Sequence, residues 1–249
     1  MSEAAMSLGG KRVVVIGGTS GIGFAVAGLA QQLGAEVVIA SSRAANVDAA
    51  LERLRGAKDG AKNGATGGTL DLRDEASVAR FFERLGAFDH LALTAGDWDI
   101  PMFVGARNLD LTAAREGFAV RFWGALAAAK HGCRSIDPNG SITLTSGMLA
   151  HRPARGAPLA AAVSGAIEHL ARGLAVDLAP VRVNAVCPGV ILTEHTSQMP
   201  QERLQAYLAR LPLPRGAEPA EAASAYVYAM LNGYVTGQVL PVDGGGWLV

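Results

Sequence analysis

The chain has 249 residues, half of them hydrophobic and 18% charged, with a formal net charge of zero and an isoelectric point near 7.0. That balance gives no electrostatic reason to bind nucleic acid or an anionic membrane, and no apolar run approaches the roughly 20 residues that span a bilayer. The two cysteines, Cys133 and Cys187, lack metal-ligand spacing, and the opening M-S-E-A-A-M-S-L-G-G-K has an acid and no apolar core, so free thiols, no secretory signal, no metal and a cytoplasmic location are expected.

Taken in order, short Val/Ile/Leu-rich runs alternate with longer segments of helical period, the pattern of a buried parallel sheet covered on both faces. Strands are predicted at Arg12–Ile16, Glu36–Ala40, Gly67–Leu70, His90–Thr94, Ser141–Thr145, Val181–Val186 and Val239–Val242. Helical spacing puts Ile22, Val26, Leu29 and Leu33 on one face, and later Val163, Ile167, Leu170 and Leu174. No repeat or linker divides the chain. The expectation is one α/β domain over residues 1–249, a Rossmann-like doubly wound parallel sheet, with an insertion near residues 192–219 over the sheet edge where ligands bind.

After the first strand comes Gly17-Gly18-Thr19-Ser20-Gly21-Ile22-Gly23, running straight into a helix. Gly17 permits a tight turn, Gly21 lets backbone approach a pyrophosphate, and Gly23 allows close helix–strand packing, while the helix N-terminus offers free N–H groups to phosphate. The spacing G-x-x-x-G-x-G, followed in order by Asp71-Leu72, Leu93-Thr94-Ala95-Gly96, Cys187-Pro188-Gly189-Val190 with Thr193, and Tyr234-Val235-Thr236-Gly237 through Val242-Asp243-Gly244-Gly245, resembles the short-chain dehydrogenase/reductase family over nearly the whole chain. The resemblance implies that Asp71 meets the adenine amino group, that Ala95 and Gly96 lie beside the adenosine ribose, and that Thr193 holds the nicotinamide amide. Both asparagines usual before Ala95 are absent. The second strand ends in Ser41-Ser42-Arg43, with no acid to bind a ribose 2′-hydroxyl and with a guanidinium suited to a 2′-phosphate, so NADP(H) is expected over NAD(H). Arg43 as a plain surface charge is the alternative.

The family's catalytic residues are a serine, a Tyr-x-x-x-Lys pair about thirteen residues later, and an upstream asparagine. Ser146 matches the serine. Counting back from L-A-V-D-L-A-P-V-R-V-N puts Ala160 at the tyrosine position and Ser164 at the lysine position; the four tyrosines lie downstream and no lysine follows Lys130. Arg121 stands where the asparagine is expected. Always charged, it cannot serve as the acid, but it could take over the lysine's charge by reaching toward Ser164, or stabilise an oxyanion; the alternative is an interface arginine. His151, in a loop bordering the expected pocket, is a candidate proton source. Asp97, Trp98 and Asp99 are candidates for gripping a cationic substrate.

The expected function is therefore NADP(H)-dependent hydride transfer to an iminium, activated ketone or similar small molecule by a non-standard proton arrangement. A dinucleotide-binding or sensing module, a partner subunit, or a non-redox enzyme templating a cyclisation or isomerisation in the same pocket are the alternatives. The resemblance further implies a homotetramer or homodimer built on the helix near Leu159–Leu178.

Overall fold

The computed structural model describes residues 7–56, 64–96 and 102–249. Seven parallel strands form one sheet in the order β3-β2-β1-β4-β5-β6-β7: β1 Arg12–Ile16, β2 Glu36–Ser41, β3 Ala65–Thr69, β4 Phe88–Leu93, β5 Ile136–Thr145, β6 Arg182–Pro188 and β7 Val239–Val242. The expected doubly wound sheet is what forms. The order reverses direction between β1 and β4, the crevice where such sheets take ligands.

Register aligns the strand ends. One row of paired residues crosses the sheet through Gly68, Ala40, Ile16, Leu93, Leu144, Ala185 and Val239. The loops that leave the carboxyl ends of these strands therefore emerge side by side. The strands themselves read as continuous apolar runs because helices cover both faces: Val13, Val14, Val15, Val37 and Ile39 are all buried.

Helices α1 (Gly21–Gln32), α2 (Ala44–Gly56) and α8 (Pro219–Leu231) pack on one face, while α3 (Glu75–Leu85), α5 (Ala125–Gly132) and α6 (Pro158–Asp177) cover the other; α4 (Leu111–Glu116) precedes α5, and α7 (Gln201–Leu208) follows β6. In α1 the buried side is Gly23, Val26, Ala27, Ala30 and Gln31, whereas Ile22, Leu29 and Leu33 are only partly covered. The expected stripe is thus rotated: small residues let α1 approach the sheet and α8 closely, and the larger side chains flank the contact. Among the described residues α6 alone has the length and apolarity of a membrane span, but half of it is buried in the fold.

Two buried polar groups lock the far half of the sheet. Arg182 donates to the carbonyls of Ala229, Met230 and Asn232, covering the unsatisfied C-terminal end of α8 with a cation. Asn184 donates to Val235 O at 2.9 Å and accepts from Gln238 N at 3.0 Å, which pins the approach to β7. Residues 192–219 carry a short 3₁₀ turn and α7; Ile191 and Ala217 pair at the base, and Leu204, Leu208 and Leu211 make a small core with Val190.

His90 on β4 is 4% exposed, with Nδ1 2.9 Å from Ser141 Oγ on β5. Burial, with the Arg182 charge nearby, pushes it down from 6.5 to about 4. The unfolded chain then binds a proton that the folded chain refuses between these values, so stability is full above about pH 6.5 and falls progressively toward pH 4. We expect acid to cost the wild type about 3 kcal/mol more over this interval than His90→Gln, measured by urea unfolding at several pH values; parallel pH curves would contradict the assignment.

Candidate active site

The residues read as cofactor ligands converge at the carboxyl edge of the sheet. Gly17, Thr19 and Ser20 leave β1, and Gly21, Ile22 and Gly23 open α1. An ideal Cβ at Gly23 would fall 2.1 Å from Gly17 O and 2.3 Å from Thr94 Oγ1, so the first turn of α1 is pressed onto the loop and onto the end of β4. Gly17 has φ +90°, and a Cβ there would lie 2.5 Å from Ala95 N. Only glycine satisfies both contacts. Thr193 closes the other side, its Cγ2 3.1 Å from where a Cβ on Gly21 would stand. This backbone cradle at a helix N-terminus fits a dinucleotide pyrophosphate.

The remaining candidates lie along the same edge. Ser41 ends β2, and exposed Ser42 and Arg43 lead into α2. Asp71 and Leu72 follow β3; the Asp71 carboxylate accepts the Arg73 N–H at 2.9 Å, holding its turn. Ala95 and Gly96 follow β4, and Pro188 ends β6 with Gly189 and Val190 just beyond it. Asp97, Trp98 and Asp99 lie outside the described residues.

Ser146 follows β5 and is 2% exposed. Facing it, α6 presents Ala160, Ser164 and Glu168 at successive turns, all buried. Ser146 Oγ donates toward Glu168 Oε1 at 2.7 Å and lies 3.1 Å from Ser164 O. His151 Nε2 stands 2.8 Å from the same Glu168 oxygen, and its ring stacks on Trp247 with centroids 3.7 Å apart. Cys187 Sγ completes the cluster within 4.8 Å of the His151 and Glu168 ligand atoms. Burial, reinforced by the Glu168 charge, pushes this thiol up to about 12. Ser146 and His151, distinct in the sequence, are joined through Glu168, to which no sequence motif points. Its signal was a charged residue on the apolar stripe of a helix, four residues beyond Ser164.

Arg121 lies in a π-helical turn, Ala119–Gly124, an irregularity frequent at functional sites. Its guanidinium packs on Gly96, where an ideal Cβ would meet Nη2 at 2.7 Å, while the Ser164 hydroxyl faces Gly147. Burial holds Arg121 below its ordinary range. Two residues not singled out in the sequence sense this charge: His195, lowered first by burial and then by Arg121, and Tyr226. Fully buried Tyr226 is no replacement acid. Thr145 Oγ1 gives its single hydrogen to Leu93 O at 2.6 Å, so the Tyr226 hydroxyl donates to Thr145 at 2.6 Å, and burial raises its pKa.

A family model described as enoyl-(acyl carrier protein) reductase matches residues 16–246. A short-chain dehydrogenase/reductase of an Acremonium species, ucsE, is 41% identical over 94% of each chain. The chain belongs to the short-chain dehydrogenase/reductase family. Among solved structures, the MalC reductase/Diels-Alderase from Malbranchea aurantiaca is similar with a TM-score of 0.91 and 32% identity over 99% of this chain and 100% of that one. A small-chain dehydrogenase in complex with NADPH is similar with a TM-score of 0.78 and 36% identity over 96% and 99%. The protein is thus an oxidoreductase of this family that binds a nicotinamide cofactor.

Gly23→Ala tests the cradle. In an unconstrained helix this change gains about 1 kcal/mol. Here the methyl meets backbone, so we expect a loss of about 1–3 kcal/mol in chemical denaturation together with weaker dinucleotide binding. A more stable variant with unchanged affinity would contradict the close packing.

Proposed function

We propose that the chain is an NADP(H)-dependent reductase that transfers hydride to an iminium, an activated ketone or a similar small molecule without the family's tyrosine acid. The observation that carries this reading is the face of α6 beside Ser146: Ala160 and Ser164 occupy the two turns where the resemblance expects tyrosine and lysine, and neither side chain is an acid of useful strength. Losing a positioned acid costs about 10²- to 10⁴-fold where a proton must arrive with hydride. An iminium needs none, since hydride converts it directly to a neutral amine.

On this reading the cofactor supplies hydride, and the glycine loop from Gly17 to Gly23 receives its pyrophosphate. Asp71, Leu72, Ala95 and Gly96 line its adenosine half, and Pro188, Gly189, Val190 and Thr193 its nicotinamide half. Arg43, exposed before α2 with Ser41 and Ser42, pairs with a 2′-phosphate; the NADPH in a similar structure supports that choice. Arg121 stabilises negative charge on an acceptor oxygen, and Ser146 orients it. Val176, 82% exposed on the outer side of α6, fits a homotetramer or homodimer built on that helix.

A second reading has a specific support: the structurally similar MalC is named both a reductase and a Diels-Alderase. The same pocket could template a non-redox cyclisation.

Turnover followed at 340 nm with cyclic imines, quinones and activated ketones tests the first reading; tight NADPH binding without turnover on any of them overturns it. Arg43→Ala should weaken NADPH about 10- to 100-fold, the worth of a charge-assisted contact, and NADH about twofold or less; equal losses would contradict the cofactor assignment. Arg121→Ala should lower kcat/KM for ketones about 100-fold, and normal turnover would remove it from the chemistry.

A further inference from the structure

Glu168 is 2% exposed on the apolar stripe of α6. A carboxylate withdrawn from water needs hydrogen-bonded, oppositely charged company. Among the described residues its ion-pair partner is His151, and the oxygen that meets the imidazole at 2.8 Å also receives the Ser146 hydroxyl at 2.7 Å. The serine hydroxyl, the Glu168 oxygen and the imidazole nitrogen therefore form one continuous hydrogen-bonded chain. The three groups run outward. Ser146 is sealed in at the sheet edge, while the His151 side chain is 18% exposed and braced on Trp247.

We propose that Ser146, Glu168 and His151 form a proton path standing in for the missing tyrosine, in which Glu168 acts through Ser146 by passing it a proton drawn from His151. The inference rests on the reductase reading above. When hydride from the reduced nicotinamide dinucleotide reaches a carbonyl carbon, the carbonyl oxygen takes the Ser146 hydroxyl hydrogen. His151 Nε2 passes its hydrogen to Glu168 Oε1, and Oε1 passes it on to Ser146 Oγ, so that Glu168 ends as it began and His151 has given up one proton. The neutral histidine regains a proton from water. One hydride and one proton make the alcohol, and every protein group returns to its starting state.

One neighbour touches the path directly: the Cys187 side chain hydrogen-bonds with both Ser146 and Glu168. Cys187, from β6, stays a neutral thiol near pH 7 because burial and the Glu168 charge hold its proton. Asp243, beyond β7, accepts the N–H groups of Gly245 at 3.0 Å and Trp247 at 2.7 Å, and so fixes the ring on which His151 rests. Arg152, next in the chain to His151, is exposed.

The test compares two substrates. Glu168→Gln keeps the shape and can still accept hydrogen bonds but cannot carry the proton. The ratio of ketone to cyclic-iminium kcat should fall at least about tenfold in Glu168→Gln and in His151→Phe, which keeps a ring on Trp247, and the double variant should fall no further than the worse single one. The solvent deuterium isotope effect on ketone reduction should change with it. A ratio that stays constant while both rates drop means a packing role and overturns the path, as does multiplicative loss in the double variant. A wild type that reduces the iminium but not the ketone overturns the path and leaves the reductase reading standing. If neither substrate turns over, the reductase reading fails, and ¹⁵N spectra of the unliganded protein decide the pair: the His151 Nε2 hydrogen should exchange with water faster in Glu168→Ala than in the wild type, and equal exchange overturns it.

Discussion

The site depends on one constraint, the parallel register that brings Ala40, Ile16, Leu93 and Leu144 into a single row. Parallel strands require crossovers, so each strand leaves the sheet at the same edge, and the side chains just beyond the row become neighbours although they are far apart in sequence. Arg43, Gly17, Gly96 and Ser146 lie along one edge of the sheet for this reason. The buried strands secure the register, since a slip by one residue would reverse every side chain. Arg182 and Asn184 hold the far strands to the same row through hydrogen bonds to backbone around α8 and β7.

On that scaffold α6 sets the chemistry. Its buried stripe carries small Ala160, polar Ser164 and Glu168 at successive turns, and the last two meet Ser146. Positive charge enters from the opposite side, where Arg121 leaves a π-turn and lies on Gly96. On the proposed reading, charge stabilisation falls to Arg121 and proton handling to the residues around Ser146.

Much of this was legible in the sequence because local chemistry dictated it. The glycine spacing, the apolar runs and the helical periods fixed the sheet, and Gly17 and Gly23 proved to be positions where any Cβ would strike backbone. Strand ends moved by a few residues where main-chain bonding decided them; beyond Leu93 the N–H groups of Thr94 and Ala95 both reach Ile16 O, at 2.9 and 3.2 Å, so the ladder ends and the chain bends out of β4. What escaped was long-range. Glu168 gains its partners only when β5 and the turn at His151 fold onto α6, and Tyr226 and His195 approach Arg121 only through the packing of α8 and of the segment after β6.

Hydride transfer without a tyrosine acid is the central claim, and isotopic labelling reads it directly. NADPH carrying deuterium at the transferable C4 position is incubated with the protein and a cyclic imine in ordinary water, and the amine is examined by mass spectrometry. Direct transfer predicts one deuterium at the former imine carbon. Amine formed without that label, or no amine although NADPH is bound, would contradict it.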